Sequence, residues 1–503
     1  MTEYDCIIIG AGAGGLAAAL QLSRQGRRVL VLERQPFPGG LATTFKRGGF
    51  TFEASMHCVD GLGEGGELRE FLSQDDTFAR IEAIELDNFA RIIYPDFDFT
   101  ADFNRDHLAD ALKNYFPSEK ADIDKLFSAM DKFFRQFERY AQSNLPEWLK
   151  MLQLLIFCPA VIKMSLITAQ GFLDKYTSNK KLKGILGDIW RLLGLPPGRV
   201  SALYFLLIFQ GYHYLSTVYV KGGFQKLFEA MAARIRKNGS EIRFNVGVKS
   251  IATYAGKRVK SVVTESGEEF IAKAVISNAN AISTLTQLLD DTRLRQEYQR
   301  KLAAMEKSLS AVQVYLGLKC PAKKLGMNRH TFSVNTSYDH DENLQFMLRH
   351  DYERCPLELV DHAQIDPGLA PEGKGTLLIM VLDQYSNWEN LDPDAYARKK
   401  KEVAEKLIRR AEHYLPGLAE NIECVEVATP LTLERYTLSP QGAIYGFAQT
   451  LEQSGIRRLS QEASVAGLFL AGAWTRPGHG VHACFFSGME AADLASAYLK
   501  RRK

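Results

Sequence analysis

A short β-branched run that passes straight into closely spaced glycines, and then into a strong helix former, leaves a chain few folds to adopt. Residues 5–9 (DCIII) have the composition of a buried parallel strand, residues 10–15 are Gly10-Ala11-Gly12-Ala13-Gly14-Gly15, and residues 16–22 (LAAALQL) favour helix. In a strand–turn–helix unit that binds a dinucleotide each glycine has a mechanical task. Gly10 permits the tight turn, Gly12 lets backbone approach a pyrophosphate, and Gly15 lets helix and strand pack closely. The diphosphate then meets free N–H groups and the positive end of the helix dipole. A second strand at residues 28–32 (RVLVL) ends at Glu33, eighteen residues after Gly15, where a carboxylate is placed to bind an adenosine ribose hydroxyl.

The segment after Glu33 separates one dinucleotide from another. Residues 36–44 read PFPGGLATT and residues 48–53 read GGFTFE. This resembles the GG motif that comes after the dinucleotide fold in amine oxidase and phytoene desaturase flavoproteins, where small residues let backbone pass close to a ribityl chain. The resemblance implies FAD, bordered by Gly10, Gly12, Ala13, Gly14, Gly15, Glu33, Arg34, Gly39, Gly40 and Leu41. A second complete GxGxxG is absent, so direct use of NAD(P)H has no positive support.

Farther along, Gly222-Gly223-Phe224 opens an amphipathic helix with Leu227, Met231 and Ile235 at near-helical spacing, ended by Asn238-Gly239. Strands are expected at residues 241–245, 249–254, 258–264 and 269–272, closing on Ala274-Val275-Ile276-Ser277-Asn278-Ala279. More strands are expected at 311–318 and 376–382, with a charged helix from 393 to about 414 on which Lys399-Lys400-Lys401 reads as a solvated face. Residues 466–473 (AGLFLAGA) read as a buried strand. Pro477-Gly478-His479-Gly480-Val481-His482 then leads into a helix over 483–499, whose N-terminus suits negative charge on a reduced flavin.

In order and spacing, GFTFE (49–53), VISNA (275–279) and PGxGV with Ser487-Gly488 resemble the phytoene desaturase, carotenoid isomerase and retinol saturase group of FAD enzymes. The resemblance implies an α/β fold with a Rossmann-like FAD-binding domain assembled from discontinuous segments (1–75, 222–285 and 455–503). To this it adds a mixed-sheet substrate-binding domain (76–143 and 286–454) and an apolar helical lid or membrane-contacting segment (144–221). It further implies that backbone near Val248 meets the adenine and that Met56, His57, Asn278, Gly472, Ala473, Gly480 and Val481 border the cofactor. The implied activity is FAD-dependent desaturation, saturation or cis–trans isomerisation of a long lipophilic polyene or isoprenoid, such as a carotenoid or retinoid.

Departures from the family pattern leave the direction of the chemistry open. The family often has Asp-x-Gly where this chain has Glu53-Ala54-Ser55, followed by Met56-His57. A histidine at 57 resembles retinol saturase, whereas PGxGV reads more like the desaturases and isomerases. His57 is a candidate proton donor near the flavin, with a hydrogen-bonded core histidine as the alternative. Tyr445, in GAIYG at 442–446, is the second catalytic candidate, placed beside the isoalloxazine ring, although aromatic strand residues usually serve packing. An amine-oxidase or protoporphyrinogen-oxidase-like flavoenzyme is the neighbouring reading. A non-enzymatic prenyl-protein escort is disfavoured by the intact Gly10, Gly12, Gly15 and Glu33 set and by Gly472.

Composition excludes other classes. The net charge of +3 over 503 residues carries no basic stripe with interleaved aromatics, so no nucleic-acid partner is expected. Seven scattered cysteines without a CxxC pair argue against a disulfide framework or a metal site and favour a reducing compartment. The acidic residues at the start are no secretory leader, and no run of about 18 apolar residues occurs. A cytoplasmic protein, peripheral on the inner face of a membrane, is the resulting expectation. Residues 144–215 are unusually apolar yet interrupted by Lys150, Gln153, Pro159 and Lys163. Two readings stay open there: an interfacial helix with snorkelling lysines, or a buried helical lid.

Overall fold

The computed structural model describes residues 3–501 apart from Asp87, Phe103, Asn144, Pro146 and Ser216. The chain ends at 1–2 and 502–503, and the lid boundary expected at 144, fall outside the described residues. The first sheet is built around the strand Glu3–Ile9, paired in parallel with Val29–Leu32 on one side and Glu269–Ser277 on the other. Glu241–Arg243 extends the Val29–Leu32 edge in parallel, while Val259–Thr264 and Val248–Thr253 continue antiparallel beyond Glu269–Ser277. Ile7, Ile8 and all four residues of Val29–Leu32 are buried, as strands covered on both faces require. One face carries the helices Ala13–Arg24, Gln225–Lys237 and Val481–Lys500, and the other packs Ile7, Leu30 and Val275 against Leu285, Tyr298 and Phe447.

Several expected boundaries move, each for a local reason. The strand expected at 269–272 and the apolar run after it are one strand, Glu269–Ser277, which changes neighbour along its length. Its first half pairs with Val259–Thr264, and its last three residues receive Leu468–Leu470 in parallel. The strand expected at 466–473 shrinks to Leu468–Leu470 because Gly467 (φ 83°) and Gly472 (φ 93°) turn the chain on either side. The strand expected to reach 245 stops at Arg243, with Asn245 left-handed at φ 59°. The last helix starts at Val481 rather than 483, with Gly480 as its N-cap.

A second sheet runs in the order Ile422–Ala428, Ser310–Leu318, Gly375–Asp383, Leu357–Val360, Thr331–Val334, Asn88–Tyr94, Phe97–Asp102. All its pairs are antiparallel except Thr331–Val334 with Asn88–Tyr94. Beside it, helices from Arg105–Tyr115 through Lys120–Ala141, Glu147–Phe157 and Pro159–Ser165 to Ala202–His213 share one core. The helical layer therefore also includes residues before 144. Among the described residues no helix is long and apolar enough to cross a membrane.

The helices Ala13–Arg24 and Val481–Lys500 meet almost backbone to backbone. A Cβ added at Gly488 would lie 2.0 Å from the Gly14 carbonyl oxygen, and one added at Gly15 would lie 2.1 Å from that of Gly10. Gly488→Ala is expected to destabilise by about 1–3 kcal/mol, the range typical of overpacking. The measurement is urea unfolding, in which the midpoint falls at unchanged slope; an unchanged midpoint contradicts this packing.

Candidate active site

A cavity of about 1980 Å³ opens where the carboxyl ends of Glu3–Ile9 and Val29–Leu32 meet the N-termini of two helices. Every residue expected at the site lines it except Gly15: Gly10, Gly12, Ala13, Gly14, Glu33, Arg34, Gly39, Gly40, Leu41, Met56, His57, Val248, Asn278, Tyr445, Gly472, Ala473, Gly480 and Val481. Gly15 stands behind this wall, packed on the Gly10 carbonyl, as its expected task of letting helix and strand pack closely requires. Asn278 braces the glycine turn. An added Cβ would come within 2.7 Å of its side chain from Gly12 and Gly14, and within 2.6 Å from Gly472. The second glycine pair crosses the first, with the Gly39 N–H donating to the Ala11 carbonyl at 2.9 Å.

Two features suit this end to an adenine dinucleotide. The helices starting at Ala13 and Val481 are capped by Gly12 and Gly480, with no side-chain hydrogen bond at either cap. Their first N–H groups thus face a cavity that both glycines line, the arrangement that attracts anionic groups. Glu33 is held at the cavity edge by N–H groups of Ala11 (2.6 Å) and Gln35 (2.8 Å). Burial raises its carboxyl above the usual range, and these N–H groups oppose the rise.

The other end is apolar and holds neutral histidines. Burial, with the Arg191 guanidinium, lowers His57 to about 4, and its Nε2 is buried without a hydrogen-bond partner. Tyr445 is half-buried, donates its hydroxyl to the Arg191 carbonyl at 2.8 Å, and stacks 4.2 Å from the His479 ring. His479 donates from Nε2 to the Leu192 carbonyl at 2.9 Å, and burial lowers it to about 3. His482, one residue into the last helix, is the exception. Burial disfavours its charge, yet Asp60 at 2.7 Å and Glu67 at 3.6 Å raise it to about 10. Sequence reading missed Asp60, Arg191, Glu358, His479 and His482 as site residues. His479 and His482 sit inside the PGHGVH turn at 477–482, while the other three carry no local signal.

Two sheets, an uncapped pair of helix N-termini and one cavity shared between a glycine cradle and an apolar chamber define a dinucleotide-dependent redox enzyme. The chain matches the flavin-containing amine oxidoreductase family over residues 13–495 and belongs to it. It is an FAD-dependent oxidoreductase. Prolycopene isomerase of Arabidopsis thaliana is 28% identical over 98% of this chain and 83% of its own length. Phytoene desaturase (neurosporene-forming) of Rhodobacter capsulatus is 27% identical over 97% and 93%, and all-trans-retinol 13,14-reductase of Danio rerio is 26% identical over 92% and 79%. The fold is similar to that of cyclohexylamine oxidase from Brevibacterium oxydans, with a TM-score of 0.64 at 16% identity over 99% of this chain and 100% of that one. The resemblance to the desaturase, isomerase and saturase group is borne out.

The His482–Asp60 pair has a pH signature. His482 titrates at 6.5 without its partners and at about 10 in the fold, so the stability it contributes is fully present below about pH 6.5 and is lost as pH rises through about 10. His482→Gln is expected to lower the melting midpoint near pH 6, with the gap to wild type closing as pH approaches 10. A gap that is the same at both pH values contradicts the charged pair.

Proposed function

We propose that the chain acts on carbon–carbon bonds of a long lipophilic polyene or isoprenoid by desaturation, saturation or cis–trans isomerisation. The observation that carries this reading is the continuation of the cofactor cleft into an apolar arm. Phe134 and Phe137 of the helix Lys120–Ala141, Leu207 and Ile208 of Ala202–His213, and Leu215 line the same cavity as Gly12 and Glu33. An extended apolar chain fits such an arm, whereas a small polar amine does not use it. Relatives named for action on prolycopene, phytoene and retinol support the same class.

In this reading Gly10, Gly12, Ala13 and Gly14 cradle the FAD diphosphate, Glu33 holds the adenosine ribose with Arg34 beside it, and the backbone at Val248 meets the adenine. Gly39, Gly40, Leu41 and Met56 line the ribityl chain, and Gly472, Ala473, Gly480 and Val481 border the ring. Bound FAD supplies the hydride chemistry. The protein contributes orientation, a water-poor chamber, positive charge from His482 and the last helix N-terminus, and proton handling by His57, with Tyr445 packed on the chamber wall. We also infer a division into an FAD-binding domain, a substrate-binding domain and a helical lid, with FAD held mainly by the first sheet.

The cavity reaches solvent at Glu138, Ala141 and Gln142, which are exposed and line it. The neighbouring helix pair leaves Leu152, Leu155, Ile156, Phe157 and Leu166 exposed, with Ile156 at 64%. Cys158, between the two helices, and Ala160, at the start of the second, donate hydrogen bonds to Gln136, near that mouth. The apolar patch and the exposed Lys163 support contact with a lipid surface that supplies substrate.

Incubation with phytoene, prolycopene and all-trans-retinol, in the presence of oxidised or reduced FAD, tests the substrate class by product mass. Gain of hydrogens marks a saturase, loss a desaturase, and unchanged mass with a shifted spectrum an isomerase. Failure to convert any polyene or isoprenoid contradicts the class. In flotation with phosphatidylglycerol vesicles the wild-type protein is expected to rise with lipid, and Leu155→Ser/Ile156→Ser/Phe157→Ser to remain below. Wild-type protein that stays below counts against lipid contact.

A further inference from the structure

Behind His57, away from the large cavity, lies a buried polar cluster that neither the cofactor nor the fold accounts for. Asp188 and Arg191 form a closed ion pair there, with guanidinium nitrogens 2.9 and 3.2 Å from the two carboxylate oxygens. Asp188 also accepts from Ser333 (2.8 Å) and Asn335 (2.6 Å). One cation and one anion are thus already matched. Glu358, on the strand Leu357–Val360, is a second acid in the same place, only 3% exposed. Its Oε1 lies 3.8 Å from His57 Nδ1 and 3.9 Å from the Arg191 guanidinium, and its Oε2 is buried with no hydrogen-bond partner.

An ionised Glu358 would leave the cluster with one net negative charge in the interior, which burial disfavours. Carrying a proton, it leaves the cluster electrically neutral. Burial raises its carboxyl above the usual range, with Arg191 opposing and Asp188 reinforcing. The nearby histidines add no positive charge to balance it, since burial holds His57 near 4 and His362 near 3. Glu358 also faces a separate small cavity of about 30 Å³, lined in addition by Asp188, Arg191, His213 and Thr331. That is room for one water with polar partners. His57 therefore stands between the reaction chamber and a carboxyl whose burial favours its protonated form, beside a water-sized space.

We propose that Glu358 is the proton partner of His57, exchanging a proton with Nδ1 while the imidazole ring exchanges one with the substrate carbon. This rests on the polyene reading and adds a second member to its proton path. In the donating direction the Glu358 O–H bond breaks as His57 Nδ1–H forms, and a ring N–H of His57 breaks as a substrate C–H forms. The imidazole is neutral before and after, and a proton from bulk solvent, passed by water in the small cavity, re-forms the Glu358 O–H bond and closes the balance. In saturation the π pair of the double bond forms the C–H bond to the incoming proton, and bound FAD in its reduced form would supply the hydride for the neighbouring carbon. The reverse order serves desaturation. Glu358 acts through His57 and is a positioning and proton-supplying residue, not one that touches substrate.

Glu358→Gln, Glu358→Asp and His57→Gln test this in the FAD-loaded full-length protein. The infrared spectrum of wild type is expected to contain a buried carboxylic-acid C=O band that is missing in Glu358→Gln and present in Glu358→Asp. The ¹⁵N ring signal assigned to His57 by its loss in His57→Gln is expected to shift in Glu358→Gln. On whichever of phytoene, prolycopene or all-trans-retinol is converted, Glu358→Gln is expected to lose about a hundredfold in kcat at unchanged KM, the lower range for loss of an acid–base group. Glu358→Asp recovers part of that loss. Wild-type turnover in Glu358→Gln, an unchanged acid band, or an unmoved His57 signal overturns the proposal. Loss of FAD and of melting midpoint in both Glu358 variants assigns the residue to packing and also overturns it. If wild type converts no probe, the substrate class fails, while the infrared and ¹⁵N comparisons still decide the role of Glu358.

Discussion

Two helix N-termini are brought to the edge of one sheet with almost no side-chain atoms between them, and the remaining architecture depends on that approach. Gly10, Gly12, Gly14 and Gly472 surround Asn278 so closely that a Cβ at any of them would meet its side chain or the adjoining backbone within about 3.5 Å. Gly488 on the last helix touches the Gly14 carbonyl in the same way. Bare backbone leaves uncapped N–H groups as the main polar feature of the cleft, and a diphosphate answers their charge. The cost is conformational: Gly10, Gly39, Gly40, Gly472 and Gly480 all have positive φ, which other residues adopt with strain.

From that fixed end the cavity passes from positive to neutral. His482 is favoured as an imidazolium by Asp60 near the second helix N-terminus, where in the proposed reading it would face a reduced flavin. At the other end burial lowers His57 and His479, favouring their neutral forms, and Phe134, Phe137, Leu207 and Ile208 make the lining beyond apolar. In the proposed reading a neutral imidazole would exchange protons without adding a fixed charge beside a conjugated chain. The polar cluster behind it places a second titratable group within reach of the first.

The cofactor end was legible in the sequence because its chemistry is local. Gly10 to Gly15 and Glu33 span one strand–helix–strand unit, and Gly39-Gly40 comes directly after it. The long strands Ser310–Leu318 and Gly375–Asp383 were legible for the same reason, since nine apolar or alternating residues carry their own signal. Strands of four residues such as Thr331–Val334 and Leu357–Val360 were not, because their existence depends on neighbours far away in the chain. The same reason hides Glu358 from Arg191 and Asp60 from His482, residues joined only by the fold. Gly15 was legible for the local reason too: its expected task, letting helix and strand pack closely, is what its contact with the Gly10 carbonyl shows.

That this cradle holds FAD is the central claim, and flavin content measures it most directly. The expected result is a yellow protein with a flavin absorbance spectrum and one equivalent of released FAD per chain by mass, and Gly14→Val protein that folds but has lost it. Colourless wild-type protein that also fails to take up added FAD would contradict it.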